Sequence, residues 1–169
     1  MTIFSICMTI LMAAVQVQPS VFDIFRNKAS EQCVSIVYEF STTMAGHKVV
    51  GDGQVAVQGD SYHMQGNGMQ IYCDGSTTWL IDEAAEEVII ESADSNDAGF
   101  LANPILLLMN LDESGVSYKV DGDKIVLDMP DGTKLDITVK SIREIPTKKP
   151  EAFRPPTEFP KKWIVTDLR

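Results

Sequence analysis

The residues able to do chemistry are few, and their spacing assembles no reactive set. His47 and His63 are the only histidines. His47 falls in a glycine-containing hairpin and His63 in an alternating stretch beside Tyr62, places that suit solvated or structural side chains better than metal ligands or a general base. Cys73 would need a nearby base or positive charge to act as a nucleophile, and the sequence places none beside it. Asp121-Gly122-Asp123 begins like a calcium loop. The later oxygen ligands, including a glutamate at the twelfth position, are missing, so it reads as a turn. Gly66-Asn67-Gly68 is not followed by a helix whose amides would hold a phosphate. These residues imply no catalytic group, no metal site and no cofactor, and the chain reads as a binding protein rather than an enzyme.

Charge narrows the partners. Lys and Arg number 14 against 24 Asp and Glu, a formal net charge of −10. Nucleic acid is bound by basic residues that release counterions from phosphates, so it is excluded as a partner, and adsorption to anionic headgroups is disfavoured. The two tryptophans and seven phenylalanines are scattered without interleaved basic residues, unlike the stacking surfaces of single-strand binders. What remains is apolar surface: 44% of residues are hydrophobic, and eight methionines make the interior deformable. On composition alone this surface is better explained as plain core.

The elements that would position such a surface are mostly strands. From Cys33 to Met44 the pattern alternates, with Val34, Ile36, Tyr38 and Phe40 on one face and Ser35, Glu39, Ser41 and Thr43 on the other. Further strands are predicted at Val49 to Gln58, Ser61 to Gly66, Met69 to Cys73, Thr77 to Asp82 and Glu87 to Glu91. Gly59-Asp60, Gly66-Asn67-Gly68 and Asp74-Gly75 punctuate them and supply tight hairpin turns, so a sequential antiparallel meander follows. Asp94 to Gly99 is a polar loop. Asn103 then caps a helix with Pro104 at its first position, and Ile105 to Met109 are apolar on every side, so this helix must be covered by a concave sheet or a ligand. Strands resume at Gly115 to Val120, Lys124 to Met129 and Thr133 to Ile142, with Ile125, Leu127 and Met129 sharing a face with Leu135, Ile137 and Val139. Pro146, Pro150, Pro155, Pro156 and Pro160 mark a tail that should run extended over the surface before a last strand at Trp163 to Val165.

At the other end, Ile3 to Val15 is almost wholly apolar and stops at Gln16, Gln18, Pro19 and Ser20. The run is short for a spanning helix and suits the core of a signal peptide, so residues 1–18 are read as an export signal and 19–169 as a single domain. The alternative is a buried N-terminal helix. A short helix capped by Ser20 should end near Ala29. With the leader removed, Cys33 and Cys73 remain, either as one disulfide or as two buried thiols.

Four landmarks in order carry a resemblance. They are Val34-Ser35-Ile36-Val37-Tyr38-Glu39-Phe40, the stretch Ile71-Tyr72-Cys73-Asp74-Gly75-Ser76-Thr77-Thr78-Trp79, the segment Asn103-Pro104-Ile105-Leu106-Leu107-Leu108, and the ending Trp163-Ile164-Val165-Thr166-Asp167-Leu168-Arg169. Together they resemble the LolA-like family of periplasmic outer-membrane lipoprotein carriers. The resemblance implies a mainly β fold, an incomplete antiparallel β-barrel closed by a helical lid. It implies a monomer that holds the acyl chains of lipoproteins, taking them from an inner-membrane exporter to an outer-membrane acceptor across the periplasm. It puts Ile36, Tyr38, Phe40, Met64, Ile71, Trp79 and Ile81 on the concave face and Phe100, Leu101, Ile105, Leu106 and Met109 on the lid. The family's cavity arginine has no counterpart in Val57-Gln58-Gly59-Asp60-Ser61-Tyr62, so its lid-closing contact does not carry over. A second reading is a sensor module of the same fold that binds lipid or lipoprotein and a membrane-bound regulator. A lipid hydrolase ranks last.

Overall fold

The computed structural model describes residues 25, 27–29, 31–44, 46–93, 116–156 and 158–169. The leader at 1–18 and all five lid residues, Phe100, Leu101, Ile105, Leu106 and Met109, lie outside them. Ten strands are present: β1 (Cys33–Met44), β2 (His47–Gln58), β3 (Ser61–Gly66), β4 (Met69–Asp74), β5 (Thr77–Asp82), β6 (Glu87–Ser92), β7 (Ser117–Asp121), β8 (Lys124–Asp128), β9 (Lys134–Ile145) and β10 (Ile164–Asp167). They form one curved, open sheet in the order β10-β6-β5-β4-β3-β2-β1-β9-β8-β7. The first six strands are the expected meander. The chain then crosses to the far side of β1, and β9 pairs with β1 antiparallel. β10 closes the other edge by running parallel to β6, with Val165 opposite Val88.

Hairpin chemistry explains the turns. Gly59, Gly68, Gly75, Gly122 and Gly132 all have positive φ, and Asn67 joins Gly68 there at φ 52. An Asn-Gly pair satisfies the two left-handed positions of such a turn. Asp74 holds the next one, its Oδ1 accepting from the amides of Ser76 and Thr77 at 3.0 Å each.

Curvature comes from three glycines that meet where β2 and β3 approach. A Cβ on Gly66 would stand 2.5 Å from the Asp52 carbonyl oxygen and 2.9 Å from the Gly53 Cα, so the backbones touch where a side chain would otherwise separate them. Across β1, Tyr38 pairs with Gly53 and Phe40 with Gly51, so the two rings lie over bare backbone. Large cross-strand side chains over glycine let a sheet bend without leaving a void. A β-bulge between Val37 and Tyr38, where pairing jumps from Ser141 to Val139, adds twist on the other side of β1.

The proline-rich tail departs from its expected extended path. Pro150–Phe153 forms a 3-10 turn that packs against β3 and β4, with Phe153 only 1% exposed. A strap from Pro146 to Trp163 therefore carries the chain from β9 back across to the β6 edge. Gln58 fixes its start by donating to the Lys148 carbonyl at 3.0 Å and accepting from the Lys148 amide at 2.9 Å. Phe153 is the fully buried one of the three large aromatic side chains in this proline-rich stretch, and its burial draws the strap inward.

Candidate functional site: an apolar inner face

Directly paired residues in an antiparallel sheet point to the same side, so the registers define the two faces. One row runs Val34, Val57, Tyr62, Cys73 across β1 to β4, and the next runs Ile36, Val55, Met64, Ile71, Leu80. On the other flank, Phe40 continues through Ile137 and Ile125 to Val120, and Thr42 through Leu135 to Leu127. These residues form a single apolar cluster that spans eight of the ten strands, joined by Phe25 and Ala29 from the N-terminal helical turn. Lys28 of that turn pairs with Glu144 at the rim. Ile36, Ile71, Ile125, Leu127, Leu135 and Ile137 are all under 3% exposed. Enclosing each stabilises the fold by about 1.5–3 kcal/mol.

Of the sheet residues expected on this face, Ile36, Tyr38, Phe40, Met64 and Ile71 are brought together. Trp79 and Ile81 are not. Ile71 pairs with Leu80, so Leu80 faces inward while Trp79, opposite Tyr72, and Ile81, opposite Gln70, face outward. β5 is apolar on both faces, and alternation alone does not choose between them; the hairpin that pairs Cys73 with Thr78 does. The β8–β9 residues of the face were visible as a shared surface, but their continuity with β1 depends on the long crossover.

The same parity separates the thiols. Cys73 belongs to the inner cluster, whereas Cys33 lies on the outer side of β1 in step with Ser35, and both are free and buried. With β2 and β3 between their strands they stand about 14 Å apart, beyond disulfide reach. Burial pushes the Cys33 thiol up, against the nearby Lys148.

Polar atoms on the inner face are few. Thr42 Oγ1 donates to the Lys134 carbonyl at 2.7 Å. Tyr38 and Tyr62 hold their phenolic protons far above neutral pH, chiefly through burial, assisted by Asp52 beside Tyr38 and Cys73 beside Tyr62. No groups of histidine, cysteine and carboxylates suited to a metal occur among the described residues.

The outer face has a different character. His63, Tyr72 and Trp79 form a row across β3, β4 and β5, with the His63 and Tyr72 rings stacked at 4.1 Å. His63 Nε2 is buried without a hydrogen-bond partner, and burial lowers the imidazole pKa. His47 is exposed at the start of β2. Two open grooves lie on this side. One of about 690 Å³ is lined by residues including Val37, Glu39, Lys48, Val50 and Lys140, and one of about 390 Å³ by Gln54, Gln65, Gln70 and Glu83 among others. Their mixed charge suits water and polar chains. The apolar inner face, closed in this arrangement, is the candidate site.

No family model and no curated protein matches the chain in sequence. Among solved structures it is similar to a LolA superfamily protein from Nitrosomonas europaea, with a TM-score of 0.51 at 9% identity over 74% of this chain and 91% of that one. It is also similar to an uncharacterized conserved protein from Thermus thermophilus, with a TM-score of 0.49 at 7% identity over 85% of this chain and 94% of that one. The class is thus a curved, open β sheet of LolA-like fold with an apolar inner face.

Proposed function

We propose that this protein is a periplasmic carrier that shelters the acyl chains of lipoproteins against its inner face and passes them from an inner-membrane exporter to an outer-membrane acceptor, without covalent chemistry. The observation that carries this reading is the unbroken apolar surface from Val120 on one flank to Leu80 on the other, on a sheet whose edges do not close.

The energetics fit a carrier. Each methylene withdrawn from water is worth roughly 0.8 kcal/mol, so sheltering about ten contributes near 8 kcal/mol before ordering costs are subtracted. Capture is then favourable and release stays reversible. Since the inner side chains are covered, loading needs a cover that moves aside, a two-state equilibrium that the ligand biases. The family resemblance implies such a cover in the apolar segment holding Phe100, Leu101, Ile105, Leu106 and Met109, which lies outside the described residues. Leu106→Asp would then suppress acyl binding while leaving β content by circular dichroism intact.

The direct test is native mass spectrometry of the protein purified from its own cells, followed by transfer of any bound lipoprotein to acceptor membranes. Lipid mass on the protein and passage to the acceptor support the carrier. Tight binding to a membrane regulator without transfer would instead make the chain a sensor of the same fold.

A further inference from the structure

The two edges of the sheet are built differently. β7 carries an exposed Lys119 at its centre, so a second copy laid antiparallel and centred on that strand brings Lys119 against Lys119. Like charges directly opposite keep strands apart. At the other edge, Ile164 of β10 is 63% exposed and Leu168 just beyond it 62%, with Val165 half-exposed between them. The one charge of the strand, Asp167, is held by Arg169 of the same chain at 2.6 Å. An apolar edge without a free charge is a template for another strand.

Pairing to β6 decides what that edge offers. The Ile164 and Leu168 amides donate to the Glu86 and Ile90 carbonyls at 2.9 and 2.8 Å. Backbone groups alternate sides along a strand, so those of Ile164, Thr166 and Leu168 serve β6, while the amides and carbonyls of Val165 and Asp167 point to the open side. Thr166 stands opposite Ile89, and Ile89 opposite Leu80. Ile164, Thr166 and Leu168 therefore lie on the inner-face side of the sheet, at its lip.

We propose that β10 is a homodimer contact, where a second copy of this chain adds its own β10 antiparallel about a two-fold axis at Thr166. Val165 of each copy then exchanges backbone hydrogen bonds with Asp167 of the other, and the two Thr166 residues form the close, non-hydrogen-bonded pair. Ile164 of each copy meets Leu168 of the other, so the exposed apolar side chains cover one another. Arg169 falls opposite Trp163, a cation against an aromatic ring. Charge selects this register over its neighbours. An axis at Val165 would set Lys161 against Arg169, and an axis at Asp167 would set the two Asp167 carboxylates together. With β7 blunted by Lys119, the two-fold contact closes on itself and assembly stops at two copies. The contact departs from the monomer that the family resemblance implies, and it does not depend on the carrier reading.

The test is sedimentation velocity of the full chain over a concentration series, for wild type, Val165→Pro and Ile164→Lys. Val165→Pro removes an amide that β6 does not use, a position where an edge strand accepts proline. Ile164→Lys puts charge into the apolar pair. Wild type should reach the dimer mass, and each substitution should weaken the dimer by about tenfold or more. Far-ultraviolet circular dichroism establishes that the variants are folded; Ile164→Lys decides if Val165→Pro is not. On air oxidation Thr166→Cys should link two copies, and Lys119→Cys, on the other edge, should not. A wild-type chain that stays monomeric at the highest concentration overturns the proposal. So does a dimer that both folded variants leave at wild-type affinity, or one that Thr166→Cys fails to link. Growth to larger species shows a head-to-tail contact and overturns it equally. A monomer whose Val165 and Asp167 amides gain hydrogen-exchange protection only on addition of an extended apolar peptide assigns the edge to another protein, and overturns it as well.

Discussion

Arg154 Nε donates to Asp74 Oδ2 across 2.6 Å, and this pair joins the C-terminal strap to the turn between β4 and β5. The Asp74 side chain is 3% exposed while that of Arg154 is 53% exposed, so the carboxylate is the member that the fold encloses. Strap and turn are thereby held together.

The first prediction concerns acid. Burial works against the Asp74 charge, but the Ser76 hydroxyl, the Thr77 and Ser76 amides and the Arg154 guanidinium outweigh it and hold the pKa down at about 2. A depressed carboxylate contributes stability that is complete above its unfolded value, near ~3.9, and is lost as pH falls through the folded value. Asp74→Asn should therefore lower the urea midpoint near neutral pH, by about 1–3 kcal/mol in stability, and the gap to wild type should narrow towards about pH 2. Arg154→Ala, which removes a solvated partner, should cost under about 1 kcal/mol.

A second pH effect has the opposite chemistry. His63 has its pKa lowered chiefly by burial, with Lys148 adding to this and Gln70 opposing it. The unfolded chain then takes up the proton first as pH falls, so stability is full above the ordinary histidine value near ~6.5 and declines below it. Melting temperature measured from about pH 7.5 to about pH 5.5 should fall for wild type. His63→Phe keeps the stack on Tyr72 and removes the unpaired Nε2, so it should flatten that slope. An unchanged slope would mean that another group titrates.

What could be read from the residues was whatever depends on period and turns. Every strand from Cys33 to Ser92 was visible because period-two alternation is broken by Gly59, Gly68 and Gly75, and β1 has the bounds expected of it. What could not be read depends on partners distant in the chain. β10 pairs parallel with β6 only because the strap carries it there, and of the strap's aromatic residues Phe153, Phe159 and Trp163 the sequence does not show that Phe153 is the one that turns inward. About half of the candidate site was legible. Ile36, Met64 and Ile71 follow from alternation, whereas Leu80 against Trp79 is a choice of register between two apolar faces, and the bend at Gly51, Gly53 and Gly66 shows itself only when β2 and β3 lie side by side.

That bend yields a third prediction. In Gly66→Ala the new methyl meets the Asp52 carbonyl oxygen at 2.5 Å, and neither backbone can withdraw without opening the sheet. Overpacking of this kind costs typically 1–3 kcal/mol, here at roughly the upper end. Gly46→Ala is the control, because nothing lies within 4 Å of its Cβ and the strain of its φ of +80° is local. A smaller loss for Gly66→Ala than for Gly46→Ala in urea denaturation would contradict the close approach of β2 and β3.

The last prediction uses the two tryptophans to locate an acyl chain. Trp79 lies on the outer face and Trp163 is half-buried just before β10, so neither belongs to the inner cluster. Bromine on a fatty-acyl chain quenches an indole only near contact. Wild-type fluorescence should then be little changed when a brominated fatty ester binds. A reporter at the neighbouring position, Leu80→Trp in a Trp79→Phe background, turns the ring to the other face, because adjacent residues of a strand point to opposite sides. Its emission should be strongly quenched by the same ester. Quenching in wild type that Trp79→Phe abolishes would put the chain on the outer side of the sheet. The inner face would then be a core alone, and ligand binding would have to be sought in the open grooves beside Val37 and Gln65.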